Sequence, residues 1–261
     1  MKHWLPVGAV VLLVAVAIWL YLTQPEISAL VTPAFAEVQG IGDRMSGVYT
    51  RAKPVAVAIW QNCQDLPAPE EFAGAELALL RNESQFIAGA YNYKNPNGKG
   101  YLSGVWDGGE LPPAVFAAGV AQAVPDTRNG WGLSLLEAFR VEPAVQASVA
   151  KLNGPHWRRI MAALPGAPLQ LRAALLYLGH AEGGGPLYAA LAVRPSSWSE
   201  VTDAVRAAYG NKGRRPASGI YNSASNMWRI GGYAAWWVGQ LSDLLGADVA
   251  PAADDDGEVI A

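Results

Sequence analysis

Glu83 is the carboxylate in this chain whose setting most favours acid–base chemistry. It falls on the stripe formed at helical spacing by Phe72, Ala75, Leu79, Leu80, Phe86 and Ile87, on a helix that begins near Pro69. A carboxyl on an apolar stripe is partly desolvated. Desolvation penalises the charged form of an acid, so a glutamic acid so placed is suited to giving up a proton to a leaving oxygen. Taken alone, Glu83 reads as a boundary glutamate that ends a helix at the edge of the core. Two further segments bear on the choice. Gly119-Val-Ala-Gln-Ala-Val-Pro-Asp-Thr127 sets the amide of Gln122 among turn and helix-start residues, and Leu176-Tyr-Leu-Gly-His180-Ala-Glu-Gly183 places the phenol of Tyr177 and the imidazole of His180 near a helix end.

The three segments together resemble the lytic transglycosylases of the lysozyme-like superfamily. In that family a helix ends in Glu-Ser with an aromatic close behind, and a Gly-Leu-Met-Gln-x-x-Pro-x-Thr segment follows. Here Glu83-Ser84-Gln-Phe86 stands for the first, and Gly119, Gln122, Pro125 and Thr127 match the second in register, with Val120 in place of leucine. The Tyr177 to His180 segment is similar to the third element. The resemblance covers roughly residues 68–191 and implies a single catalytic carboxyl, Glu83. It would protonate the bridging oxygen between two sugars of peptidoglycan, then act as base while the sugar's own 6-hydroxyl closes a 1,6-anhydro ring. The resemblance also implies that Ser84 and Gln122 orient Glu83 or an N-acetyl group and that Tyr177 and His180 line the cleft. Each has an ordinary structural reading beside it: Gln122 as a solvated helix residue, Tyr177 as a core aromatic, His180 as a cation at a helix C-terminus.

The chain departs from the family pattern between these segments. Residues 91–111 insert a polar, glycine-rich stretch. It reads either as an exposed loop without a role or as a flap whose aromatic residues, Tyr93 and Trp106 among them, stack on sugar faces. Asp107 and Glu110 in the same stretch offer a second carboxylate, which would open a hydrolytic route.

The elements that must position these groups are helical. Pro67-Ala-Pro-Glu-Glu suits a helix start, with proline in the first turn and two carboxylates at the positive end of the dipole. Pro112-Pro113, Pro155 and Pro168 mark further starts, Ser196 and Ser197 can cap a helix running to Tyr209, and a last helix is expected from about Ser223 to Leu245, ended by Gly246. No run alternates as an exposed strand would, so the expected class is mainly α: a lysozyme-like helical domain behind an N-terminal transmembrane helix.

Composition agrees with that division. Hydrophobic residues make up 51% of the 261, charged residues only 16%. Part of the apolar excess lies in residues 5–22, which carry no charge and are about long enough to cross a bilayer. Lys2 precedes the run and the first acids, Glu26, Glu37 and Asp43, follow it, which directs the remainder out of the cytoplasm. A secreted form cleaved near Ala34-Phe35-Ala36 is the alternative. The expected organisation is an anchor or signal segment over 1–23, a linker or stalk over 24–60, the catalytic domain over 61–246 and a disordered acidic tail over 247–261.

The net charge of −3 argues against nucleic acid as a partner. His3, His156 and His180 are too scattered to indicate a metal site, and Cys63, the only cysteine, excludes an internal disulfide. No cofactor is expected. The expected partners are peptidoglycan glycan strands, the membrane through residues 5–22, and secretion, conjugation or phage-assembly proteins. The activity expected by resemblance is lytic transglycosylation, in a periplasmic domain on the inner membrane or in a virion. The alternatives are a lysozyme-type hydrolase and a glycan-binding or structural membrane protein without turnover.

Overall fold

The computed structural model describes residues 47–94, 101–110, 115–210 and 227–246. Over these the chain is mainly helical, with one small sheet. The expected anchor at 5–22, the Ala34-Phe35-Ala36 site and the acidic tail lie outside the described residues. Among the described residues no helix is long and apolar enough to cross a membrane.

Helix α1 spans Val48–Cys63 and α2 spans Pro69–Ser84. The sequence reading assigned residues 24–60 to a linker, and α1 corrects it. Val48, Ala52, Val55, Ala56, Ile59 and Cys63 recur at helical spacing on a face that packs on α2, and all are buried. Pro54 within α1 disguised the helix.

Helix α2 begins as expected, with Pro69 in the first turn and Glu70 and Glu71 at the dipole's positive end. Its start is held from outside. The Trp157 indole donates to the Pro67 carbonyl at 2.7 Å, and Arg172 pairs with Glu71 at 2.7 Å. Every residue from Phe72 to Leu80 is buried, because α1, α7 (Leu169–Glu182) and α10 (Ala234–Leu245) pack around α2. A helix enclosed in this way is the core of the fold rather than its amphipathic wall.

Three antiparallel strands follow: β1 (Ala90–Lys94), β2 (Tyr101–Val105) and β3 (Val115–Ala118), in the order β2-β1-β3. They correct two expectations. The stretch 91–111 supplies most of a hairpin and not a structureless loop, and the residues after Pro112-Pro113 form a strand instead of a helix. Periodicity failed here because the strands are short and mix Tyr, Asn, Ser and Gly. The sheet covers a second small apolar cluster of Val115, Ala118, Ala138 and Phe139.

Short helices α3 (Pro125–Trp131) and α4 (Leu135–Ala138) lead to α5 (Val141–Ser148), which runs through a π-helical turn, Val149–Asn153, into α6 (Gly154–Ala163). Helix α8 (Gly184–Ala192) and α9 (Trp198–Tyr209) come next, the latter capped by Ser197 as expected. Residues 227–232 are helical, but Tyr233 breaks the expected long helix before α10.

Gly74 marks the closest approach in the core. A Cβ there would stand 2.6 Å from the Ala234 carbonyl oxygen and against the Val238 side chain. Backbone cannot yield as a side chain can. Gly74→Ala should force α2 and α10 apart and cost about 1–3 kcal/mol of stability, measured by chemical denaturation. An unchanged unfolding midpoint would mean that the two helices are not so closely seated.

Candidate functional site

The end of α2 is shaped by backbone strain. Gln85 and Phe86 both adopt left-handed conformations, with φ of 52° and 61°, which non-glycine residues take only where surroundings compel them. The compulsion is visible: Phe86 is buried edge-on against Trp237 at 5.4 Å, and the Gln85 amide caps the Arg81 carbonyl at 2.9 Å. The helix therefore stops directly after Glu83 and Ser84. Glu83 is left half-buried at the mouth of a groove, while the Ser84 hydroxyl turns back to the Leu80 carbonyl at 3.1 Å.

Two adjoining cavities form the groove, one of about 600 Å³ and one of about 380 Å³. Glu83, Asn92 and Gln122 line both, so these three residues mark the junction. Among the described residues, Glu83 is the one carboxylate that lines either cavity. On the larger side lie Phe116, Thr127, Trp131 and His180; on the smaller lie Ser84, Ser103 and the first residues of β1.

Tyr177, from α7, donates its hydroxyl hydrogen to Glu83 Oε1 at 2.7 Å and accepts from Asn82 Nδ2 at 2.7 Å. Burial pushes the phenol well above its ordinary range, and the negative charge of Glu83 adds to this. Tyr177 is thus a permanent donor, which holds one oxygen of Glu83 and leaves the other for a ligand.

Gln122 stitches the sheet to the loop after it. Its Nε2 donates to the carbonyls of Gly119 at 2.9 Å and Ala90 at 3.2 Å, and its Oε1 accepts from Asn92 Nδ2 at 2.8 Å. Ser103 then donates to Asn92 Oδ1 at 2.6 Å. Gln122 is itself left-handed, with φ of 47°. Gly119 is required by geometry, because φ is 78° and a Cβ would collide with the Ala138 carbonyl. Pro125 opens α3, and Thr127 in its first turn faces the larger cavity. The Gly/Gln/Pro/Thr spacing thus describes a built turn at the groove.

Five of the sequence-selected residues meet here: Glu83, Ser84, Gln122, Tyr177 and His180. Tyr93 and Trp106 do not, and neither lines either cavity of the groove. Asn92 faces the groove, whereas the Tyr93 ring lies beside that of Tyr91, at 5.9 Å, beyond a register irregularity between Asn92 and Tyr93. Trp106 stacks on Phe139 at 5.1 Å and donates to the Gly109 carbonyl at 2.8 Å. Asp107 accepts from Gly109 within its own turn, and neither it nor Glu110 lines the groove, so no second carboxylate faces Glu83 from this stretch.

Sequence reasoning missed Asn82, Asn92 and a group beneath the floor. Glu76, two turns before Glu83 on α2, has no exposed surface. Its carboxyl accepts from Ser148 Oγ at 2.9 Å and from Asn153 Nδ2 at 2.7 Å, and Asn153 lies 3.2 Å from His180 Nδ1. Burial pushes the Glu76 pKa up to about 7, against the lowering effect of those hydrogen bonds. Burial also lowers the pKa of His180, opposed by the charge of Glu83 and by the Ala121 carbonyl. A glutamate inside an unbroken buried helix gives no periodic signal, since its neighbours are apolar on every side.

No protein-family model, curated protein or solved structure matches this chain.

Because the folded-state pKa of Glu76 is raised, folding binds its proton. Its contribution to stability is full below the ordinary value near 4.5 and is lost as pH rises through about 7. The unfolding free energy of wild type minus that of Glu76→Gln should therefore fall across this window, at a slope of at most about 1.4 kcal/mol per pH unit. Denaturant unfolding at a series of pH values measures it, and a flat difference would contradict the buried assignment.

Proposed function

We propose that the chain is a peptidoglycan lytic transglycosylase on a lysozyme-like helical fold, with Glu83 as its acid and base. The observation that carries this reading is a single carboxylate at the junction of two cavities, held by one phenol, with no second acid lining the groove among the described residues. A glycan strand laid through both cavities would place its scissile bond over Glu83. Glycosidases that activate water commonly use two carboxyl groups across the bond. A mechanism in which the substrate's 6-hydroxyl is the nucleophile needs only one. Glu83 gives its proton to the glycosidic oxygen as that bond breaks, then takes the proton of the 6-hydroxyl as its oxygen bonds to the anomeric carbon. No water enters the products.

The other groove residues have roles consistent with this chemistry. Tyr177 fixes the rotamer of Glu83, Gln122 holds Asn92 so that its second amide hydrogen is offered to an N-acetyl substituent, and Phe116 and Trp131 give the larger cavity apolar surface suited to sugar faces. Residues 5–22, as a retained anchor, would present the domain to the wall from the membrane.

Incubation of the protein with sacculi and mass spectrometry of the soluble fragments tests the reading. Anhydro-ended muropeptides are expected; reducing ends would instead make the enzyme a hydrolase, and binding without release would make it a glycan-binding module. Glu83→Gln should lower the rate by at least about a hundredfold, as for loss of a sole general acid. Tyr177→Phe should cost about ten- to a hundredfold, the worth of one hydrogen bond to a charged group. Equal rates for wild type and Glu83→Gln would remove the assignment.

A further inference from the structure

The chain from Glu76 to His180 has a geometry that core packing alone does not require. Ser148 and Asn153 are five residues apart, and in an α-helix side chains at that spacing diverge. The π-helical turn Val149–Asn153 brings them onto one side, where Asn153 Nδ2 lies 3.0 Å from Ser148 Oγ and both reach the same carboxyl. Such turns are uncommon and concentrate at functional sites. Asn153 also contacts His180, a groove residue, so a carboxyl sealed inside the core is linked by one side chain to the ligand face.

We propose that Glu76 is a positioning residue for the groove, acting through Asn153 to hold His180 Nδ1 as a hydrogen-bond acceptor and so keep the ring proton on Nε2. An ionised carboxylate can only accept, so it turns the Asn153 amide nitrogen toward itself. One amide hydrogen goes to the carboxylate, at 2.7 Å to Oε2 and 3.0 Å to Oε1, and the second is shared between Ser148 Oγ at 3.0 Å and His180 Nδ1 at 3.2 Å. The Ala121 carbonyl, also an acceptor only, favours an N–H on the same ring. A neutral imidazole has one such hydrogen, and Nε2 is the position that serves both neighbours.

Protonation of Glu76 removes the constraint. A neutral carboxyl no longer fixes the amide nitrogen by its charge, and Asn153 Oδ1, 3.3 Å from His180 Nδ1, can then accept a hydrogen from that nitrogen instead. The groups facing Glu76 are the Cys63 thiol from α1, Ser148 from α5, Asn153 from the π turn and, through Asn153, His180 from α7. Those facing His180 are Glu83 from α2, His156 from α6, Tyr177 from its own helix and the Ala121 carbonyl. Among these, Glu76 exchanges its proton at about 7, while the Cys63 thiol is pushed up to about 12 and the pKa of His156 is lowered by burial.

Nitrogen-15 spectra of full-length protein labelled at histidine test the proposal, with the His180 signals identified by their loss in His180→Gln. Above the pH at which Glu76 ionises, the wild-type ring should show a bare Nδ1 and a protonated Nε2. Below it, and in Glu76→Gln at either pH, the two nitrogens should shift in opposite directions as the other neutral tautomer gains population. Asn153→Ala, which severs the link and leaves both ends, should give the same shift and keeps the test open should Glu76→Gln not fold. The wild-type series alone would decide it if neither variant folds. A ring that keeps one tautomer in every sample on both sides of neutrality overturns the proposal. The consequence for turnover rests on the transglycosylase reading: Glu76→Gln should flatten the pH profile of kcat and leave KM unchanged. Because the spectra need no substrate, inactivity of the wild type would sink that reading and leave the tautomer result standing.

Discussion

Helix α2 is enclosed from Phe72 to Leu80, and the rest of the structure accommodates that enclosure. A helix buried on all sides gains apolar stability from each neighbour, but any polar group it carries must find its partners inside the protein. Glu76 finds Ser148 and Asn153. Glu71, in the first turn, finds Arg172, whose guanidinium lies over the Trp157 ring at 5.7 Å. Glu83 comes where the enclosure ends. It is the first carboxylate along the helix that meets both protein and groove, and Tyr177 occupies only one of its oxygens. Glu71, Glu76 and Glu83, three of the four acids on this helix, thus differ in behaviour because packing around the helix differs along its length.

The groove itself is a boundary between two kinds of structure. Helical walls from α2 and α7 bring Glu83, Tyr177 and His180. The sheet and the turn after β3 bring Asn92 and Gln122, joined by a hydrogen bond of 2.8 Å. Strain gathers at this seam: Gln85 and Gln122, both left-handed, line it, and Phe86 follows directly on the first. Left-handed non-glycine residues cost about 1 kcal/mol or more each, so they persist where tertiary contacts over-determine them. Here the contacts are the seating of Phe86 against Trp237 and the two backbone carbonyls bound by Gln122.

Much of the helical frame was legible because its signals are local. Pro69, Pro155 and Pro168 stand at or beside helix starts, Ser197 accepts from the Glu200 amide, and Gly246 ends α10. The core face of α1 was missed because Pro54 looks like punctuation in a sequence, although it sits inside the helix, where it forgoes the backbone bond to the Thr50 carbonyl and the buried face around it outweighs that loss. The sheet was missed for the opposite reason. Its strands gain their stability from partners across the hairpin and from the cluster around Phe139, and neither leaves a periodic trace in a five-residue strand rich in Tyr and Asn. Trp106 misled similarly, since an aromatic in a polar stretch can serve a ligand or a small local core, and here it stacks on Phe139.

The sequence by itself determined the residue types of the site and their order: a carboxyl near a helix end, an amide in a Gly/Gln/Pro/Thr turn, a phenol and an imidazole three residues apart. Those depend on local spacing, which a linear chain displays. Only the tertiary structure decided that Glu83 faces the groove while Glu76, on the same helix, faces none, that Tyr177 points at Glu83, and that Asn153 joins Glu76 to His180. Each of those depends on which helix packs against which, and for the last on a π turn that changes the phase of one helix by a single residue. Burial and partner are properties of neighbours distant in sequence, so the chemistry of a carboxyl becomes defined only when the chain has closed around it.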